Sequence, residues 1–133
     1  MSADTTILVV DDNRPLAEGF AKMLSAEYEV LTAYNGEEAI SLLDETIDVV
    51  LLDRRLPGIS GDDVLEDIRR RGLDCRVAFV SAADPSPNLD CDMYVTKPIW
   101  GSDTLHETVD SLLESEESSA TSRNGNGGSR PPA

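Results

Sequence analysis

The sequence predicts an α/β fold, a doubly wound five-stranded parallel sheet covered by helices on both faces. Three observations predict it. Five short apolar segments alternate with helical patterns along the chain. Three of the five are apolar throughout rather than every second residue, as strands buried on both faces are. The 133 residues, 40% of them hydrophobic, supply one core and set a prior of one domain. Right-handed crossovers between parallel strands then distribute the helices over both faces.

The first strand is read at Thr6–Val10. A helix follows, with Leu16, Phe20, Met23 and Leu24 on one stripe and Pro15 in its first turn, where a missing N–H costs nothing. Glu29–Ala33 is the second strand, and Ala39, Ile40, Leu42 and Leu43 mark the second helix. Val49–Leu52 is the third strand. The third helix opens at Ser60 with acids in its first turn, buries Val64, Leu65 and Ile68, and ends at Arg69-Arg70-Arg71-Gly72. Those charges complement the helix dipole, and glycine closes the last turn. Val77–Val80 and Met93–Thr96 are the fourth and fifth strands. Between them, Ala82–Asp92 holds only eleven residues with Pro85 and Pro87, so the helix there is expected to be shortened or missing. Leu105, Val109, Leu112 and Leu113 form a last helix after Asp103. From Ser115 the chain turns to serine, glycine, asparagine and proline with no apolar period. Residues 1–117 are therefore expected to fold, and 118–133 to be a disordered tail or the start of a linker.

Charge narrows the function. Twenty-six acids against eleven bases give −15, every acid lies at or before Glu117, and the only later charges are Arg123 and Arg130. A body this acidic repels phosphate backbones, so binding of nucleic acid by this chain is not expected. Only Lys22 and Lys97 are lysines. An acid-rich, lysine-poor surface is that of proteins working in concentrated salt, where counterions screen self-repulsion; an acidic face for a basic partner is the competing explanation. No apolar run exceeds four residues, as at Ile7–Val10 and Val49–Leu52, and the first residues carry neither a base nor an apolar stretch. A cytoplasmic protein without a membrane span is expected. Cys75 and Cys91 are expected to be reduced, mostly buried thiols. His106, the single histidine, has no partners at zinc-ligand spacing and is expected on a helix surface.

The unusual polar residues fall directly after strands. Asp11 and Asp12 follow the first, Asp53 the third, Ser81 the fourth and Lys97 the fifth. A single such Asp is usually a cap or a turn residue. In an open α/β sheet, however, the carboxyl ends of the strands converge on one edge, where ligands bind. Three carboxylates held together repel unless a cation sits among them, and Mg²⁺ is the natural hard dication for oxygen ligands. One carboxylate can then attack phosphorus to form an acyl phosphate. The lysine and the metal would neutralise phosphoryl oxygens while the hydroxyl donates a hydrogen bond.

At these residues the sequence resembles the receiver domains of two-component response regulators, from about Ile7 to Leu113. The match includes Ile7-Leu8-Val9-Val10-Asp11-Asp12, then Val49-Val50-Leu51-Leu52-Asp53 with Leu56-Pro57-Gly58 and Gly61. It continues through Val80-Ser81-Ala82 to Tyr94-Val95-Thr96-Lys97-Pro98. The Asp53-Arg54-Arg55-Leu56-Pro57-Gly58 phrase and the acidity look like haloarchaeal receivers, some of them associated with HalX-type output regions. The resemblance implies a flavodoxin-like sheet of strand order 2-1-3-4-5 and a phosphorelay function. Asp53 would accept a phosphoryl group from a histidine kinase. Asp12 would ligate Mg²⁺ directly and Asp11 through water, with the Arg55 backbone carbonyl completing the set. Ser81 would bond a phosphoryl oxygen and move inward on activation, Lys97 would pair with the phosphoryl group, and Pro98 would follow a cis peptide. Tyr94 would be the switch aromatic; otherwise it is a half-buried strand tyrosine. Ala82 would leave access to phosphorus. Arg54 and Arg55 read as solvated side chains.

The short connection between strands four and five departs from the family pattern, so the usual output surface does not carry over, and a downstream protein partner is left unnamed. Chemistry is expected to be limited to self-phosphorylation and slow self-dephosphorylation, which does not make the chain an enzyme. A phosphorylation-independent, receiver-like interaction module is the main alternative. A haloacid-dehalogenase-type, aspartate-nucleophile phosphatase would need a second Asp two residues after the nucleophile, and neither Asp11-Asp12-Asn13 nor Asp53-Arg54-Arg55 has one. A flavodoxin-type electron carrier would need a phosphate loop where Asp11-Asp12-Asn13-Arg14 stands.

Overall fold

The computed structural model describes residues 5–82, 91–97 and 102–122, with the side chains of the last helix described over 103–114. Its elements are β1 (Thr6–Val10), α1 (Arg14–Leu24), β2 (Glu29–Ala33), α2 (Gly36–Leu42), β3 (Val49–Leu52), α3 (Gly61–Arg70), β4 (Arg76–Ser81), β5 (Met93–Thr96) and α4 (Ser102–Ser122). The five strands form one sheet in the order β2-β1-β3-β4-β5, every pair parallel. Leu8 lies beside Leu31 on one side and Val50 on the other, and Phe79 beside Tyr94.

Successive residues of a strand point to opposite faces, and here both faces are covered. Leu8, Val10, Val50, Leu52, Val77 and Phe79 pack with Ala39 and Leu43 from the α2 region and with Val64, Leu65 and Ile68 of α3. Ile7, Val9, Val49, Leu51, Ala78 and Val80 pack with Ala17, Phe20 and Leu24 of α1 and with Leu105, Val109 and Leu112 of α4. The uninterrupted apolar runs are thus two cores interleaved in one strand.

Local chemistry sets the helix ends. The Asn13 side chain caps α1 by accepting from the Leu16 N–H at 3.2 Å. At α3, Ser60 and Asp63 form a reciprocal capping box, with bonds of 3.2 and 3.4 Å. Gly72, at φ +70°, supplies the left-handed residue after that helix. The Arg71 guanidinium donates to the Leu43 carbonyl at 2.9 Å and to Asp67 at 3.0 Å, tying the end of α2 to α3.

Three expectations are corrected. Met23 is not part of the buried stripe of α1: it is 36% exposed, and Ala17 takes its place beside Phe20 and Leu24. β4 extends one residue beyond Val77–Val80 at each end, because the ladder continues through polar Arg76 and Ser81. The helix after Asp103 runs to Ser122, so residues 118–122 are helical rather than the start of a disordered tail. Leu105, Val109 and Leu112 pack that helix onto the core, and the residues that follow contain no glycine or proline before Gly125. The expected shortened helix between strands four and five falls on residues 83–90, outside the described residues, as do Pro98 and the tail from 123. Among the described residues, no helix is long and apolar enough to cross a membrane.

Candidate functional site

The parallel ladder delivers the residues that follow β1, β3 and β5, and the last residue of β4, to one edge. The Asp11 N–H donates to the Ala33 carbonyl at 3.0 Å and the Asp53 N–H to the Val10 carbonyl at 2.9 Å, so both acids continue the ladder by one residue. The Lys97 N–H donates to the Ser81 carbonyl at 2.9 Å in the same way. This fixes the backbones from which the side chains project.

Asp11 and Asp53 are buried and Asp12 is exposed, and one carboxylate oxygen from each lies within 4.8 Å of the others. The Lys97 ammonium bridges two of them, donating to Asp11 Oδ2 at 2.6 Å and to Asp53 Oδ2 at 3.2 Å. Burial opposes its charge, but the bonds and the proximity of Asp11 and Asp53 outweigh that, and Lys97 stays protonated above the ordinary lysine range. The remaining carboxylate oxygens are held by the chain itself. Asp11 Oδ1 accepts from the Asn13 N–H at 2.9 Å, and Asp53 Oδ1 from the Arg55 N–H at 3.2 Å. Each acid therefore sits in a fixed orientation, one oxygen turned to the lysine and the other tied to the next turn.

Three carboxylates against one ammonium leave two negative charges uncompensated, which suits a dication. The spacing suits it too. One carboxylate oxygen from each of the three lies within 4.8 Å of the others, near enough for a single hard cation to be held by some of them directly and by the rest through water.

The other expected residues are placed as follows. Ser81 is fully buried at the same strand edge, with exposed Ala82 after it. Arg55 is exposed, and the bond seen at this site comes from its N–H rather than its carbonyl. Tyr94 is half-buried on β5, its ring centroid 5.8 Å from that of Phe79. Arg54, expected to be solvated, is not: its side chain is only 20% exposed and forks onto Asp62, with Nε–Oδ1 at 2.8 Å and Nη2–Oδ2 at 3.0 Å. The charge of Arg54 is held firmly, first by the Asp62 hydrogen bonds and then by Tyr94. The Arg14 guanidinium, for which the sequence predicts no contact, stacks 4.2 Å from the centre of the Tyr34 ring.

Gly61 brings α3 against the acidic loop. Its N–H donates to the Arg54 carbonyl at 2.9 Å, and a Cβ there would meet the Asp53 carbonyl oxygen at 2.2 Å. Only a glycine permits that approach.

Known proteins are similar to this chain. The sequence profile of the response regulator receiver domain matches residues 7–110. A Haloferax volcanii protein, provisionally named a transcriptional regulator, is 50% identical over 116 residues, covering 84% of this chain and 20% of that protein. The Staphylococcus aureus response regulator SaeR is 33% identical over 101 residues, covering 71% of this chain and 44% of SaeR. The chain thus spans less than half the length of either relative. Among solved structures, the Thermotoga maritima response regulator TrrA, in complex with Mg²⁺-BeF, is 36% identical with a TM-score of 0.71, over 82% of this chain and 99% of that one. With the profile spanning most of the sequence and the strand order and acidic edge in place, the chain belongs to the response regulator receiver domain family.

Proposed function

We propose that this chain receives a phosphoryl group on Asp53 from the phosphohistidine of a histidine kinase and, so loaded, alters a surface read by a partner protein. The observation that carries the proposal is the buried Asp53 carboxylate within 4.8 Å of Asp11 and Asp12 and hydrogen-bonded to Lys97.

Asp53 is the carboxylate placed to act as nucleophile. An Asp53 oxygen forms a bond to phosphorus as the bond from phosphorus to the donor imidazole nitrogen breaks, and the imidazole leaves with the electron pair and takes up a proton. Lys97, already charged and poised between Asp11 and Asp53, pairs with a phosphoryl oxygen as negative charge builds. The Ser81 hydroxyl donates to another, and the small Ala82 leaves room for the donor. Asp12 and Asp53 would hold Mg²⁺ directly, Asp11 through water, and the Arg55 carbonyl would complete the protein ligands. That ion supplies neutralisation of the carboxylates and of the phosphoryl oxygens. The chain undergoes this chemistry on itself, gaining and slowly losing one phosphoryl group, and transforms no metabolite. The net charge of −15 favours a protein partner over nucleic acid and fits a cytoplasmic setting of high ionic strength.

The test is incubation with acetyl phosphate and Mg²⁺, followed by intact mass. Wild type is expected to gain about 80 Da, one phosphoryl group, and Asp53→Asn nothing. No gain in wild type would leave an interaction module that works without phosphorylation.

A further inference from the structure

Arg54 directly follows the phosphoacceptor in the chain, and its surroundings differ from those of a surface arginine. Its backbone carbonyl takes the Gly61 N–H at 2.9 Å, and its guanidinium forks onto Asp62 in the first turn of α3. The same guanidinium lies 5.9 Å from the centre of the Phe79 ring, against which Tyr94 packs, and after Asp62 it is Tyr94 that supports its charge. Phe79 is the register partner of Tyr94 on β4. One side chain thus joins the acceptor loop, the start of α3, and two neighbouring strands.

We propose that Arg54 is a positioning residue: held by Asp62, it fixes Tyr94 and transmits changes at the Asp53 carboxylate to β5. The route is short. Asp53 Oδ1 accepts the Arg55 N–H at 3.2 Å, closing a tight turn with Arg54 at its centre. A carboxylate oxygen bonded to phosphorus or drawn to a metal is a poorer acceptor, so loading Asp53 weakens that bond and lets the turn readjust. Arg54 cannot follow without disturbing either its fork on Asp62 or its place beside Phe79 and Tyr94. Because the two-toothed fork is the stronger contact, the contact on the Tyr94 side yields first.

This inference rests on Asp53 being the acceptor, and the experiment separates the two. With only Tyr28, Tyr34 and Tyr94 in the chain, ¹³C-tyrosine labelling gives three ring signals, and Tyr94→Phe identifies the one of interest. Spectra are recorded without ligand, with Mg²⁺, and with Mg²⁺ plus beryllium fluoride, while acetyl phosphate uptake is followed by mass. Without ligand, Arg54→Gln and Asp62→Asn are expected to move the Tyr94 signal and leave those of Tyr28 and Tyr34 in place. With beryllium fluoride, the Tyr94 response is expected to fall at least about twofold in both variants while phosphate uptake persists. Arg54→Lys, which keeps the charge but cannot fork, should resemble Arg54→Gln. A Tyr94 signal that is unchanged in the unliganded variants, or a full response in them, overturns the proposal. Should wild type take up no phosphate, the acceptor reading fails, and the unliganded spectra still judge the tether.

Discussion

Replacing Gly61 by alanine sets two physical effects against each other. Alanine is the better helix former by about 1 kcal/mol, and propensity alone therefore predicts a more stable protein. The packing predicts the opposite. An added Cβ would stand 2.2 Å from the Asp53 carbonyl oxygen and 2.7 Å from the Arg54 Cα, both backbone atoms that no rotamer change can remove. The start of α3 must back away from the Asp53–Arg54 loop, at a cost of about 2–3 kcal/mol for overpacking. The Gly61 N–H bond to the Arg54 carbonyl, now 2.9 Å, would lengthen as well, at a cost of about 1 kcal/mol. The net expectation is destabilisation by about 2 kcal/mol. With a urea slope of about 2 kcal/mol per molar, the midpoint falls by about 1 M with the slope unchanged. Gly19→Ala is the matched control. It also sits in a helix, but an added Cβ meets nothing within 4 Å, so the gain of up to about 1 kcal/mol should appear in full. A midpoint for Gly61→Ala at or above that of wild type would refute the close approach of α3 to the Asp53–Arg54 loop.

Further outcomes follow from the charges. Mg²⁺ is expected to raise the melting temperature by relieving repulsion among Asp11, Asp12 and Asp53, and Asp12→Ala to abolish the rise; a flat titration of wild type counts against the metal site. Burial and then Asp110 push the Tyr28 hydroxyl up to about 12, with a 3.2 Å bond to Asp110. The folded state therefore keeps that proton over a range in which the unfolded chain loses it. The resulting stability is intact below the unfolded tyrosine pKa of about 10 and is lost as pH rises through the folded value. Thermal melts across that alkaline window should fall less steeply for Tyr28→Phe than for wild type, and equal slopes would contradict the assignment. With a net charge of −15, the fold is expected to lose stability on transfer from molar to low salt, and equal melting temperatures at both would remove the halophilic interpretation.

Much of this architecture is legible in the sequence because one rule dominates it. A strand covered on both faces must be apolar along its length, and β3, all of β1 after Thr6 and most of β4 are. The site is legible for a related reason. Parallel strands share a carboxyl edge, so acids, a hydroxyl and an amine placed at strand ends must converge, and Lys97 does reach both Asp11 and Asp53. Contacts that depend on loop conformation leave no such trace. Arg54 and Asp62 are eight residues apart with no period linking them, and they meet through a loop containing Gly58 at φ +73°. The stacking of Arg14 on Tyr34 depends in the same way on where α1 begins after the acidic turn. Met23 misled because a helical stripe identifies a face but not its edges, and the small Ala17 packs where the larger methionine stays outside.

The most direct test is to locate the phosphoryl group chemically. After acetyl phosphate and Mg²⁺ treatment, the protein is digested and its peptides are weighed with and without hydroxylamine, which cleaves acyl phosphates. The modification should fall on the single peptide containing Asp53 and vanish with hydroxylamine. A stable modification, or one carried by Asp11, Asp12 or a serine instead, would contradict the assignment of Asp53 as the acceptor.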